Sequence, residues 1–166
     1  MNRYLNLTTL VAGAWWSTIL FVWATISDAH SEGVSFELAG SELSQTMVLT
    51  PAIVILVALI ARYRKIPNLI MLFAALVGLW SAYLAFTLNP AASPAAIDGL
   101  EKLTGVAGSI GSATTTLAPS AYLALSLVVV ILSVLAAFSR PGEAKATRTE
   151  VEEEPADPKS LWDSQN

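Results

Sequence analysis

Two uncharged apolar runs, separated by only four residues, constrain this chain more than any other feature. Leu43 to Ala61 and Ile66 to Leu88 contain no Asp, Glu, Lys, Arg or His, and between them stand Arg62, Tyr63, Arg64 and Lys65. A helix needs about 20 apolar residues to cross a hydrocarbon core of roughly 30 Å, and each run is long enough. The chain must therefore turn back at the basic residues. Lys and Arg in short loops are retained on the cytoplasmic side, so Arg62, Arg64 and Lys65 orient everything else.

Two further runs, Leu7 to Ile26 and Pro119 to Phe138, are also free of charge. Of the 166 residues 54% are hydrophobic and 13% charged, with a mean hydropathy of +0.59. A soluble domain carries roughly 25% charged residues. The expected fold class is an all-α membrane protein with four transmembrane helices, about 7–26, 43–61, 66–88 and 119–138. Both termini are expected to be cytoplasmic, because Arg3, Arg140, Lys145 and Arg148 fall on the side of the basic turn and Lys102 alone on the other. The outside loops are then 27–42 and 89–118, residues 1–140 form the membrane domain, and 141–166 form a cytoplasmic tail. That tail, with Glu152, Glu153 and Glu154 in a row, buries too little apolar surface to offset its chain entropy and is expected to be disordered. A signal peptide cut near Ser27, Asp28 and Ala29 is the alternative for the first run. Its apolar stretch is too long for an ordinary leader, which favours an uncleaved span.

Within the first loop, Val34, Phe36 and Leu38 alternate with Ser35 and Glu37, a period that predicts a short strand. His30, the only histidine, lies beside Asp28 and Glu32 and reads as a solvated loop residue, so no metal site is expected. Pro51 is placed in the first turns of the second span, where a missing N–H costs least. Ala95 to Thr104 predicts a short surface helix with Ile97, Leu100 and Leu103 on one face. Gly105, Gly108 and Gly111 match no phosphate-binding pattern and read as flexible loop.

Ala74, Gly78 and Ala82 recur every four residues, a small-residue stripe that lets a second helix approach closely, with a neighbour in the same chain favoured over another protomer. Trp15, Trp16 and Trp23 cluster in the first span. Filling space against other helices is the plainer reading, and a ring-lined solute pocket is the alternative. Near the end, Leu161, Trp162 and Asp163 interrupt the acidic tail, reading as a docking motif for a partner, as a segment that dips back to the membrane surface, or as one with no specific role. No span holds an ionisable residue, which argues against ion-coupled transport. Neither a nucleophile–base pair nor a haem-ligating histidine is evident. With no cysteine, thiolate and iron–sulfur chemistry are excluded. The chain is therefore expected to be non-enzymatic and without a cofactor. Its expected partners are the lipid bilayer and other membrane proteins or itself; the acidic balance gives no surface for nucleic acid.

The Trp-bearing first span, the segment Val34-Ser35-Phe36-Glu37-Leu38-Ala39-Gly40-Ser41-Glu42, the Gly-rich second loop and the terminal Leu161-Trp162-Asp163 together resemble the tryptophan-associated transmembrane protein family of actinobacteria. The resemblance covers most of the chain. It departs at the end, where Ser164-Gln165-Asn166 stand in place of a Gly/Asp/Pro/Thr ending. It implies a plasma-membrane protein linked through its genes to tryptophan biosynthesis, and brings no catalytic residues. Two functions are expected from all this: an accessory subunit or organiser of a larger membrane complex, or a facilitator or sensor for a neutral or zwitterionic aromatic solute such as tryptophan or indole.

Overall fold

The computed structural model describes residues 3–28, 33–63, 67–108 and 111–139. The chain is mostly helical, with a small sheet at one end of a helix bundle. In order, the elements are α1 (Arg3–Ser17), β1 (Val22–Asp28), β2 (Ser35–Ala39), α2 (Gly40–Leu43), α3 (Gln45–Tyr63), α4 (Pro67–Thr87), α5 (Pro94–Thr104), β3 (Gly111–Thr115) and α6 (Ala118–Phe138), with 3₁₀ turns at Thr18–Leu20 and Pro90–Ala92. The helices α1, α3, α4 and α6 form a four-cornered bundle in which α1 packs on α3 and α6, and α4 packs on α3 and α6.

Among the described residues three helices are long and apolar enough to cross a membrane: Gln45–Tyr63, Asn68–Thr87 and Ala118–Phe138. Only 33–39% of the residues in their most apolar windows are buried. The outward positions are nevertheless filled by residues such as Leu49, Leu56, Leu69, Phe73, Leu76, Ile131 and Phe138. A bundle surrounded by water would place polar side chains there. Apolar residues all round a helix are what lipid requires.

The first apolar run departs from its expected form. Its helix ends at Ser17, a 3₁₀ turn follows, and from Val22 the chain is a β-strand, so 7–26 is not one continuous helix. The physical reason lies in Phe21 to Ile26, where aromatic and β-branched residues fit a pleated strand. That strand has partners on both sides. β1 is the centre of a three-stranded antiparallel sheet of order β2-β1-β3. β2 coincides with the alternation read at Val34, Phe36 and Leu38, whereas β3 lies inside the segment expected to be flexible loop.

α5 crosses the inner face of the sheet. Ser93 caps it by accepting the Ala96 N–H at 3.2 Å, and Gly105 ends it in the left-handed region at φ 72°. Its buried residues are Ala96 and Leu100, whereas Ile97 and Leu103 are exposed, so the covered face differs from the expected one. Gly99 is needed there because a Cβ would stand 2.3 Å from the Phe36 ring. The inner face of the sheet is apolar through Ala24, Ile26, Phe36 and Leu38. The outer face carries Thr25, Ser27, Ser35, Glu37, Ser112 and Thr114.

Candidate functional site

Where the sheet meets the bundle, three rings from three elements converge. The Tyr122 ring from α6 lies between two indoles, 5.2 Å from Trp15 of α1 and 5.1 Å from Trp23 of β1, with interplanar angles of 53° and 65°. All three side chains are fully buried. These offset and edge-on arrangements are the ones favoured by ring quadrupoles.

Trp23 reaches this position through a local irregularity. Val22 stands opposite Ala39 and Ala24 opposite Leu38, so Trp23 is an extra residue on β1 with no partner on β2. A bulge of this kind re-aims a side chain. Strict alternation would put Trp23 on the face opposite Ala24; with the bulge both are buried. The indole N–H of Trp23 donates to the Thr18 carbonyl at 2.9 Å. Gly40 gives the ring its space, since a Cβ there would lie 2.5 Å from Trp23 Cε2.

The hydroxyl end of Tyr122 enters a polar knot shared by three helices. Tyr122 Oη lies 2.5 Å from Ser81 Oγ of α4 and 3.1 Å from Thr50 Oγ1 of α3, and these two are 2.8 Å apart. Tyr122 also donates to the Met47 carbonyl at 3.1 Å. The knot has a backbone cause. Pro51 lies inside α3, beyond its first turn, so the carbonyl four residues earlier, Met47, lacks its usual backbone N–H donor. In lipid such a freed carbonyl must be satisfied by a neighbouring helix. Tyr122, with help from Thr50 at 3.2 Å, supplies the hydrogen bond.

The sequence-level candidates divide accordingly. Trp15 and Trp23 are brought together through Tyr122, but Trp16 points away and is 47% exposed. Trp16 instead walls a separate pocket of about 290 Å³ with Gly13, Ser17, Ile19, Leu20, Ser41 and Val48. The three indoles therefore do not line one site, because adjacent helical residues point about 100° apart. Pro51 is the seventh residue of α3, within its first two turns as expected but past the four N–H groups that go unpaired at a helix start. Ala74, Gly78 and Ala82 are buried on α4, and a Cβ on Gly78 would lie 2.9 Å from Val130 Cγ2 and 3.5 Å from the Ser126 carbonyl of α6. Ala82 also lines a groove of about 660 Å³ between α4 and α6, with Leu76, Leu79, Trp80, Tyr83 and Phe86 of α4 and Leu123 and Leu127 of α6. Arg62 closes α3. Arg64, Lys65, His30, Leu161, Trp162 and Asp163 lie outside the described residues. Tyr122, Thr50 and Ser81 were not singled out by sequence reasoning, although a proline beyond the first turn of an apolar helix was the available signal.

Among the described residues no group of His, Asp or Glu is placed to hold a metal ion. Two buried polar atoms, Trp15 Nε1 and Ser133 Oγ, have no hydrogen-bond partner among those residues. No family model, curated protein or solved structure matches this chain.

The contact at Gly78 gives a direct prediction. Gly78→Leu inserts four carbons where the first already meets a β-branched side chain, and overpacking of this kind costs roughly 1–3 kcal/mol. The expected result is less protein in the membrane and a lower melting midpoint in detergent. Unchanged values would place the stripe against lipid.

Proposed function

We propose that this chain is a non-enzymatic, four-span plasma-membrane protein that acts through partners, as an accessory subunit or organiser of a larger membrane complex. The observation that carries the reading is the commitment of the bundle interior to itself. Trp15, Tyr122 and Trp23 fill its sheet-side end, and the Thr50, Ser81 and Tyr122 hydroxyls are spent on one another and on the Met47 carbonyl. A single copy with such an interior offers a solute no polar path, so its work falls to its surfaces.

A four-span reading needs α1 to cross. Its 15 residues rise about 22 Å, and the 3₁₀ turn of 3 residues adds about 6 Å. This approaches the hydrocarbon thickness of roughly 30 Å. In the alternating bundle Arg3 and Arg62 then share the end opposite the sheet, consistent with cytoplasmic termini and an outside sheet. The resemblance noted in the sequence adds an actinobacterial membrane and a genetic link to tryptophan biosynthesis.

Affinity purification of the tagged chain from its native membrane in a gentle detergent tests the reading. A stoichiometric partner is expected, and removing Leu161 to Asn166 is expected to release it if the tail docks. Recovery of the chain alone would overturn the accessory role. The second reading, a sensor of a neutral aromatic solute, is favoured by the pocket beside Trp16, where an indole wall meets Ser17 and Ser41. Equilibrium binding of tryptophan and indole, weakened by Trp16→Ala, is its test.

A further inference from the structure

The sheet ends on two edges that are treated differently. On the β2 side, the Asp28 N–H donates to the Val34 carbonyl at 3.1 Å. Bonded pairs alternate in an antiparallel ladder, so Phe36 and Leu38 also bond to β1, and Ser35, Glu37 and Ala39 turn their backbone groups outward. This edge is guarded, because Glu37 is charged and the Ala39 N–H is taken by the Glu42 carboxylate at 2.9 Å. On the β3 side, the Thr116 N–H donates to the Trp23 carbonyl at 3.0 Å. Ser112 and Thr114 then bond to β1, and Gly111, Ala113 and Thr115 turn their backbone groups outward.

Among the described residues none of the usual protections is present on β3. Gly111-Ser112-Ala113-Thr114-Thr115 holds no charge, proline or bulge. Among the described residues no hydrogen bond reaches the outward N–H or C=O groups of Gly111, Ala113 and Thr115. The turn at Pro90–Ala92 touches β1 as well as β3, so it lies against the sheet face rather than beyond the edge. Unpaired edges of this kind are templates for a further strand.

We propose that the β3 edge is a homodimer interface, occupied by β3 of a second copy running antiparallel. The outward residues are symmetric about Ala113, so a two-fold axis beside it pairs Ala113 with its own counterpart and Gly111 with Thr115 of the partner subunit. Each pair exchanges both of its backbone bonds. Between these pairs Ser112 faces Thr114 of the partner subunit, a hydroxyl pairing that is favourable across strands. Nothing along the strand repels its own copy, whereas the mirror arrangement on β2 would bring Glu37 against itself. A two-fold dimer is the commonest closed assembly. The inference does not depend on the proposed accessory role.

The test uses the full chain in liposomes and exploits its lack of cysteine. Residues 112 and 114 of the partner subunit would form a non-bonded pair, with a Cα separation of about 4.5 Å that a disulfide accepts. Mixing Ser112→Cys with Thr114→Cys chains is expected to give an oxidised dimer, while Ser35→Cys mixed with Ala39→Cys, the positions that would face each other if β2 paired about Glu37, stays monomeric. Ser112→Lys combined with Thr114→Lys places like charges in facing positions and is expected to raise the dimer dissociation constant about tenfold or more. Both side chains are exposed, so far-UV circular dichroism should be unchanged. A monomer at all lipid ratios or a dimer indifferent to the two lysines would each overturn the proposal.

Discussion

Trp23→Ala will lower the stability of the bundle by about 3–5 kcal/mol, the range for truncating a buried aromatic. Trp16→Ala will change it by less than about 1 kcal/mol, as expected for a residue with much of its ring exposed. The contrast follows from where the two indoles lie. Trp23 is fully buried, contacts Tyr122 edge-on, hydrogen-bonds the Thr18 carbonyl and fills the space that Gly40 leaves open. Removing it opens a cavity at the junction of sheet and bundle and strips the 3₁₀ turn of the bond that fixes it. Trp23→Phe should recover most of the packing but not the hydrogen bond. Melting of the purified variants in one detergent, followed by circular dichroism, decides the matter. Equal shifts for Trp23→Ala and Trp16→Ala would mean that the bulge does not deliver Trp23 into the core.

The same region explains why some of the fold was legible in the sequence and some was not. The helices α3, α4 and α6 follow from uncharged runs, because lipid imposes a local rule on every residue of a span. β2 was readable from the alternation Val34, Phe36 and Leu38. β1 was not, because Phe21 to Ile26 is as apolar as the helix before it and becomes a strand only by pairing with residues far along the chain. The Thr114 hydroxyl, for example, reaches the Thr25 carbonyl across 89 residues. β3 is less legible still. Gly111, Ser112 and Ala113 have little strand preference of their own, and their conformation is set by β1 alongside them.

The candidate site divides in the same way. Burial of Trp15 and Trp23 was within reach of sequence reasoning, and so was the separation of Trp16, since neighbours on a helix face different directions. The partner that joins Trp15 to Trp23 was not readable. Tyr122 stands alone near the start of an uncharged run, and nothing near it in the sequence announces Thr50 or Ser81. The clue lay at a distance, in Pro51. A proline past the first turn of a lipid-embedded helix frees a carbonyl, and some other element has to supply a donor.

That dependence leads to the second large effect. Tyr122→Ala removes a ring packed against both indoles together with the knot, and should cost about 3–5 kcal/mol. Tyr122→Phe keeps the ring and removes only the hydroxyl, leaving the Met47 carbonyl with the longer Thr50 contact and the Ser81 hydroxyl one neighbour short. A loss of about 1–3 kcal/mol is expected for buried groups left in this state. If the hydroxyl is there because Pro51 cannot donate, its value must fall when residue 51 can. In Pro51→Ala the new N–H reaches the Met47 carbonyl along the helix, so Tyr122→Phe should cost less in that background than in the native one, by about 1 kcal/mol. Comparing melting midpoints of the native chain, the two single variants and the double variant closes the cycle. A positive coupling energy ties Tyr122 to the proline. Strict additivity would transfer the role of the hydroxyl to Ser81 and Thr50 alone, and Ser81→Ala would then reproduce the whole effect of Tyr122→Phe.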